Sequence, residues 1–374
     1  MDPSVALPPE LWLYIHRIAT ADTSPMVAAY TDRYQYVAVP NPLDDMQDFL
    51  RDVSSFALVS RLWNSLTSKI LYENIRVDER FHALYTALER PGTARLVRSV
   101  RLSTTRFDHN IAILALCSQL QVVVQPEAST ASRSQALIGA PDLDLNLTIP
   151  NLESLKHIYW THSDMALDLL LKLIPLAPNL EYLFFKNSSI LRSDREFDIL
   201  APLSLQRLTL GPLQANLIES IFRRLDVTKL TRLHCIPSFF LGFLEIPTLS
   251  SLQTLELFGS RSNIPFNVIF LRCPRLRELR YDVWNRPLET PDEPRTAPLP
   301  CIRLHSAVTI RNWTYLEPVE AHFDLFLSPK FPRVQRLVLH NSWHEIVNQS
   351  WFAPYRDGLR ELGCRLEFPE GTVL

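Results

Sequence analysis

Leu252-Gln253-Thr254-Leu255-Glu256-Leu257 places leucines at the first, fourth and sixth positions of a hexad. Its last two leucines are separated by one residue, which is the alternation of a strand with one buried face. The hexad returns as Leu180-Glu181-Tyr182-Leu183-Phe184-Phe185, Leu205-Gln206-Arg207-Leu208-Thr209-Leu210 and Val334-Gln335-Arg336-Leu337-Val338-Leu339. Weaker copies start at Val97, Leu120, Leu152, Leu230, Leu276, His305 and Leu359. Successive starts lie about 26 residues apart on average, within the roughly 20–29 residues of a stacked strand-plus-helix repeat. Pro150, Pro178, Pro274 and Pro332 each stand two residues before a start, where proline ends a helix and favours extended chain.

Between the hexads, Met165 to Ile174, Ala215 to Arg224, Asn267 to Leu271 and Glu320 to Leu327 carry helical periodicity. Short strands alternating with helices predict an α/β fold with parallel strands on one wall and helices on the other, each unit completing the core of the next. The arrangement resembles the irregular, intracellular type of leucine-rich-repeat solenoid. That resemblance covers 95–374, with a connecting helix in 79–94, at Phe81 to Arg90. An ordinary α/β domain with coincidental leucine spacing is the alternative. Ala128 to Ala140, rich in Ser, Ala and Thr, and the proline-rich Arg286 to Pro300 interrupt the period and read as exposed loops.

Composition bounds the function. The chain has 374 residues, 47% hydrophobic and 21% charged, near globular averages. Its net charge of −2 gives no global attraction to nucleic acid or an anionic membrane, so neither is expected as a partner. Leucine supplies 62 residues, whereas glycine supplies only 8, which leaves little material for a phosphate-cradling loop. The five cysteines (Cys117, Cys235, Cys273, Cys301, Cys364) are scattered without C-x-x-C spacing and read as buried thiols rather than disulfides or a zinc site. No secretory signal or membrane span is visible, so a cytoplasmic or nuclear location is expected.

The amino-terminal segment differs from the rest. Pro8-Pro9-Glu10 opens a short helix with Leu11, Ile15 and Ile18 on one face, and Phe56, Val59, Leu62, Trp63 and Leu66 share the face of another. Leu7-Pro8-Pro9-Glu10-Leu11 with Ile15 resembles the opening L-P-x-E-L-x-x-x-I of an F-box, and Leu58-Val59-Ser60-Arg61-Leu62-Trp63 resembles its second half. Residues 1–78 are therefore similar to a small all-α F-box, with an insertion at about 20–47 like that in large families of mushroom-forming fungi. The resemblance implies a Skp-type adaptor as partner, and through it a cullin–RING ubiquitin ligase. It implies that Leu7, Pro8, Leu11, Ile15, Leu58, Val59 and Trp63 pack against that adaptor. An ordinary helical core is the alternative for the same residues.

The sequence lacks a G-x-G-x-x-G, Walker or G-x-S-x-G element. His344-Glu345-Ile346-Val347-Asn348 approaches H-E-x-x-H but has Asn at the second ligand position, so no metal site, cofactor or catalytic residue is expected. Arg90, Arg95, Arg98, Arg101 and Arg106 form an acid-free run that reads as a solvated face or a phosphate-reading patch. The implied role is a non-catalytic substrate receptor that holds an unknown target protein. A leucine-rich-repeat scaffold without a ligase role is the alternative. In each hexad the residues before the second and third leucines point outward. This rule places Tyr182, Phe184, Arg207, Arg232, His234, Glu256, Glu278, Arg280, Arg336 and Val338 on the open strand face, where arginine and aromatics favour target binding.

Overall fold

The computed structural model describes residues 71–126, 148–187 except 163, 202–211, 215–239 except 238, 248–258, 263–283, 298–306 and 316–374 except 342. All seven residues assigned to the adaptor, Leu7, Pro8, Leu11, Ile15, Leu58, Val59 and Trp63, lie outside the described residues, as do the insertion at about 20–47 and the loop expected at Ala128 to Ala140. The chain divides into two compact units, Met1–Ser193 and Asp194–Leu374.

The first unit carries β1 (Asn74–Arg76), α1 (Phe81–Leu88), β2 (Ser99–Arg101), α2 (Phe107–Leu116), β3 (Val122–Gln125), β4 (His157–His162), α3 (Asp164–Leu173) and β5 (Tyr182–Asn187). Its five strands pair in chain order, all parallel. Among the described residues the sheet thus begins at Asn74, inside the segment assigned to the F-box, because Ile75 and Val77 alternate inward and Ile75 aligns with Val100. Asn110 holds the β2–α2 connection: its amide donates to Ser103 O at 2.9 Å, and its Oδ1 accepts from Ser103 N at 2.8 Å. This exchange satisfies a fully buried amide side chain.

The second unit carries β6 (Arg207–Leu210), α4 (Ala215–Arg224), β7 (Arg232–Cys235), β8 (Thr254–Leu257), α5 (Phe266–Arg272), β9 (Glu278–Asp282), β10 (Leu299–Ser306), α6 (Leu316–Leu327), β11 (Val334–Asn341), α7 (His344–Val347), α8 (Ala353–Glu361) and β12 (Arg365–Glu367). Its seven strands also pair in chain order and in parallel. One inward row, Leu208, Leu233, Leu255, Leu279, Ile302, Leu337 and Leu366, is at most 3% exposed throughout. Each such side chain contributes about 1.5–3 kcal/mol by leaving water. A repeated backbone device fixes the register: the carbonyls of Gln206, Thr231 and Gln253 each accept two amides from the next unit, as in Arg277 N and Glu278 N to Gln253 O.

Three weak hexads were out of phase. The strand assigned to Leu152 starts from Leu155, since Ile158 and Trp160 are the fully buried pair. The one assigned to His305 starts from Leu299, with Ile302 and Leu304 inward, so His305 lies near the strand's end. Pro300, assigned to a loop, is a strand residue. Leu359 lies in α8, not in a strand. Gly363, at φ 72°, ends that helix: Cys364 N donates to Leu359 O and Gly363 N to Arg360 O, closing a Schellman turn before β12. Among the described residues no helix is long and apolar enough to cross a membrane.

Candidate functional site

Outward-facing residues form rows because the strands are in register. In the second unit one row runs Arg207, Arg232, Thr254, Glu278, Cys301, Arg336 and Arg365. The next runs Thr209, His234, Glu256, Arg280, Arg303, Val338 and Glu367. A third, at the far end of the strands, aligns Asp282, His305 and His340. Parallel neighbours stand only about 4.8 Å apart, so side chains in adjacent units must interact.

The rows are knit by alternating charge. Arg280 Nε lies 2.6 Å from Glu278 Oε1 on its own strand, and Arg303 Nε donates to the same oxygen. Arg280 also reaches Glu256 at a longer 3.9 Å, and His234 Nε2 lies 3.8 Å from the other Glu256 oxygen. At the last strand, Arg336 donates to Glu367 Oε1, while Arg365 Nε lies 2.6 Å from Oε2. The Glu367 side chain is only 1% exposed, against 46% for Arg336, so the arginines cover a buried carboxylate. His305 and His340 stack with centroids 4.6 Å apart, and Arg303 Nη1 approaches His340 Nε2 at 3.3 Å.

These surroundings set the protonation states. Burial first, then the Glu278 and Asp282 carboxylates, push the Glu256 carboxyl up to about 7. Burial holds His305 at about 3, with His340 and the Arg280 and Arg303 guanidiniums acting in the same direction. His340 is held at about 4, by burial and then by Arg303 and Arg280. Burial and His305 keep His234 near 3. The imidazoles are therefore neutral stacking surfaces at pH 7, and on these rows six arginines stand among four carboxylates, of which Glu256 holds its proton about half the time at pH 7.

In the first unit the corresponding face is aromatic. His157 aligns with Tyr182 and Tyr159 with Phe184. Tyr182 meets Tyr159 edge-on at 5.2 Å, and Tyr159 stacks with Phe184 at 6.2 Å. Leu183 and Phe185, which alternate with them along β5, are fully buried, whereas Tyr182 and Phe184 remain half-buried.

All ten outward residues expected from the hexads occupy outward positions on their strands, although Val338 is itself buried. Glu256, Glu278, Arg280 and His234 are brought together; Arg336 instead joins Glu367. The hexad rule missed His157, Tyr159, Cys301, Arg303, His305, His340, Arg365 and Glu367. A scan that accepted Ile at the fourth position would have found Leu155-Lys156-His157-Ile158-Tyr159-Trp160 and Leu299-Pro300-Cys301-Ile302-Arg303-Leu304. Cys117, Cys235, Cys273 and Cys364 are buried, but Cys301, expected to be buried as well, is only half-buried because its side chain falls in the outward row of β10. His340 lies in β11 and His344 in α7, where Asn348 Nδ2 donates to His344 O at 2.9 Å. Among the described residues no group of three or more His, Cys, Asp or Glu is placed to hold a metal. No protein-family model matches the chain, and no curated protein matches its sequence.

Proposed function

We propose that the chain is the substrate receptor of a Skp–cullin–F-box ubiquitin ligase. Leu7, Pro8, Leu11, Ile15, Leu58, Val59 and Trp63 dock the F-box on the Skp-type adaptor, and an irregular leucine-rich-repeat solenoid holds the target protein. The observation that supports the second half of this reading is the pair of outward strand faces. One presents Tyr182, Phe184 and His157, backed by the buried Tyr159. The other presents Arg207, Arg232, His234, Glu256, Glu278, Arg280 and Arg336 in register. Arginine and aromatic side chains combine contact area with directed hydrogen bonds, the composition of binding hot spots. Many half-buried polar groups at fixed spacing favour recognition of a protein surface over a small molecule.

The receptor needs no reacting group of its own. It raises the local concentration of target lysines near a conjugating enzyme carried by other subunits, and that requires geometry alone. Affinity purification of the full chain from cells tests the reading. Adaptor and cullin co-purify with the parent, and Leu11→Asp/Ile15→Asp releases both. Capture of a partner protein without adaptor or cullin would make the chain a scaffold outside the ligase.

A further inference from the structure

The strands of the second unit start along an edge that carries a separate feature. A groove of about 630 Å³ crosses the starts of β7, β8, β9 and β10, lined by residues from Thr228 to Pro300. Its volume falls within the roughly 300–1,000 Å³ of ligand sites. Four strand starts about 4.8 Å apart span about 14 Å, the length of about four residues of extended chain.

Its chemistry is one-sided. Arg275 and Arg277 form part of the wall, and no lining residue is acidic. Both arginines are exposed, and among the described residues neither side chain makes a hydrogen bond or an ion pair. That sets them apart from Arg280, Arg303, Arg336 and Arg365 on the neighbouring strand face, each of which meets a carboxylate. Lys229 beside the groove is held by Ser204 Oγ at 2.7 Å, adding a fixed positive charge. Ser251 and Gln253 supply neutral polar groups on the wall. Pro298 and Pro300 contribute rings without backbone N–H, so neither offers a ligand a main-chain donor. Recognition must come through side-chain charge and hydrogen bonds.

We propose that this groove binds an acidic, extended segment of a partner protein, about four residues long, whose carboxylates pair with Arg275 and Arg277. The inference deepens the receptor reading and rests on it, because it names the chemistry of a segment that such a receptor would capture. It is separate from the strand face, where Arg280, Arg303, Arg336 and Arg365 already meet carboxylates.

Fluorescence anisotropy of the full chain with a labelled Asp-Glu-Asp-Glu peptide tests this. Binding is expected at low salt and weakens steeply as salt rises, because an exposed ion pair is screened. Arg275→Gln/Arg277→Gln lowers affinity at least tenfold while the melting temperature and adaptor retention stay unchanged, since among the described residues these side chains make no hydrogen bond or ion pair to lose. An Asn-Gln-Asn-Gln peptide of the same length does not bind. Equal binding by parent and double variant, or none by the parent, overturns the proposal. So does displacement of the peptide by millimolar inorganic phosphate, which would make the site a reader of single phosphoryl groups. Adaptor capture measured on the same preparations keeps the outcomes apart: a lost peptide with retained adaptor removes only the groove, and a lost adaptor removes the receptor reading.

Discussion

Replacing Glu256 by Gln stabilises the protein in neutral solution and does nothing in acid. The carboxyl is four-fifths covered, its nearest cation is Arg280 at 3.9 Å, and Glu278 and Asp282 act on it from the adjacent strand β9. Burial and these carboxylates raise it from an ordinary 4.5 to about 7. A carboxyl that is raised in the folded state binds its proton more tightly there than in the unfolded chain. Its contribution is complete below the ordinary value and is lost as pH climbs through 4.5 towards 7. At about 1.4 kcal/mol for each tenfold change in proton affinity, the loss totals about 3 kcal/mol. Glutamine keeps the shape of the protonated acid and cannot ionise. The stability difference, variant minus parent, is therefore near zero at pH 4.5 and climbs to about 3 kcal/mol at pH 8. His305 and His340 act in the opposite sense, losing stability as pH falls from 6.5 towards 3 or 4, but both proteins share them. Urea unfolding of both proteins at half-unit pH steps reads the difference. A flat difference, or a variant less stable at pH 8, would refute the assignment of a strained carboxylate to this face.

Other perturbations probe the remaining contacts. Removing both Arg336 and Arg365 by leucine leaves the buried Glu367 carboxylate uncompensated and costs about 3–5 kcal/mol in urea unfolding. Either single replacement costs far less because the other guanidinium stays. Burial pushes Cys117 and Cys364 up to about 12 and raises the Cys235 thiol well above its ordinary value, so a disulfide reagent at pH 8 labels them only at the rate of unfolding. Rapid labelling of Cys117 in the folded protein would contradict its place in the core. Tyr182→Ala/Phe184→Ala lowers target capture at least tenfold. The aromatic pairs it removes are worth only about 0.5–1.5 kcal/mol each, so the melting temperature falls by a few degrees. Unchanged capture would move the site off this face.

The strand array was legible because its signal is redundant. Leu183, Leu208, Leu233, Leu255 and Leu279 each fill the same inward position, and one hexad predicts the phase of the next. Where a β-branched residue replaced leucine, as at Ile158 and Ile302, a leucine-based scan slipped to a nearby false start. Leu359 misled for another reason: a buried leucine serves a helix as well as a strand, and only the left-handed Gly363 marks the boundary. Outward residues followed from alternation alone. Their pairing did not, because Glu278 meets Arg303 across 25 positions and Arg336 meets Glu367 across 31. The groove was invisible for the same reason. Thr231, Gln253 and Arg277 are neighbours only once successive units are stacked.

Hydrogen exchange of the full chain, with and without a purified Skp-type adaptor, bears most directly on the receptor reading. If the proposed F-box docks the adaptor, amides in segments 7–15 and 58–63 gain protection on adaptor addition, because a small helical domain leaves an apolar face for a partner to cover. Amides of the strands, such as Leu255 and Leu279, should exchange as before. No gain in either amino-terminal segment at saturating adaptor would contradict the account, leaving a repeat protein that binds its partners without a ligase.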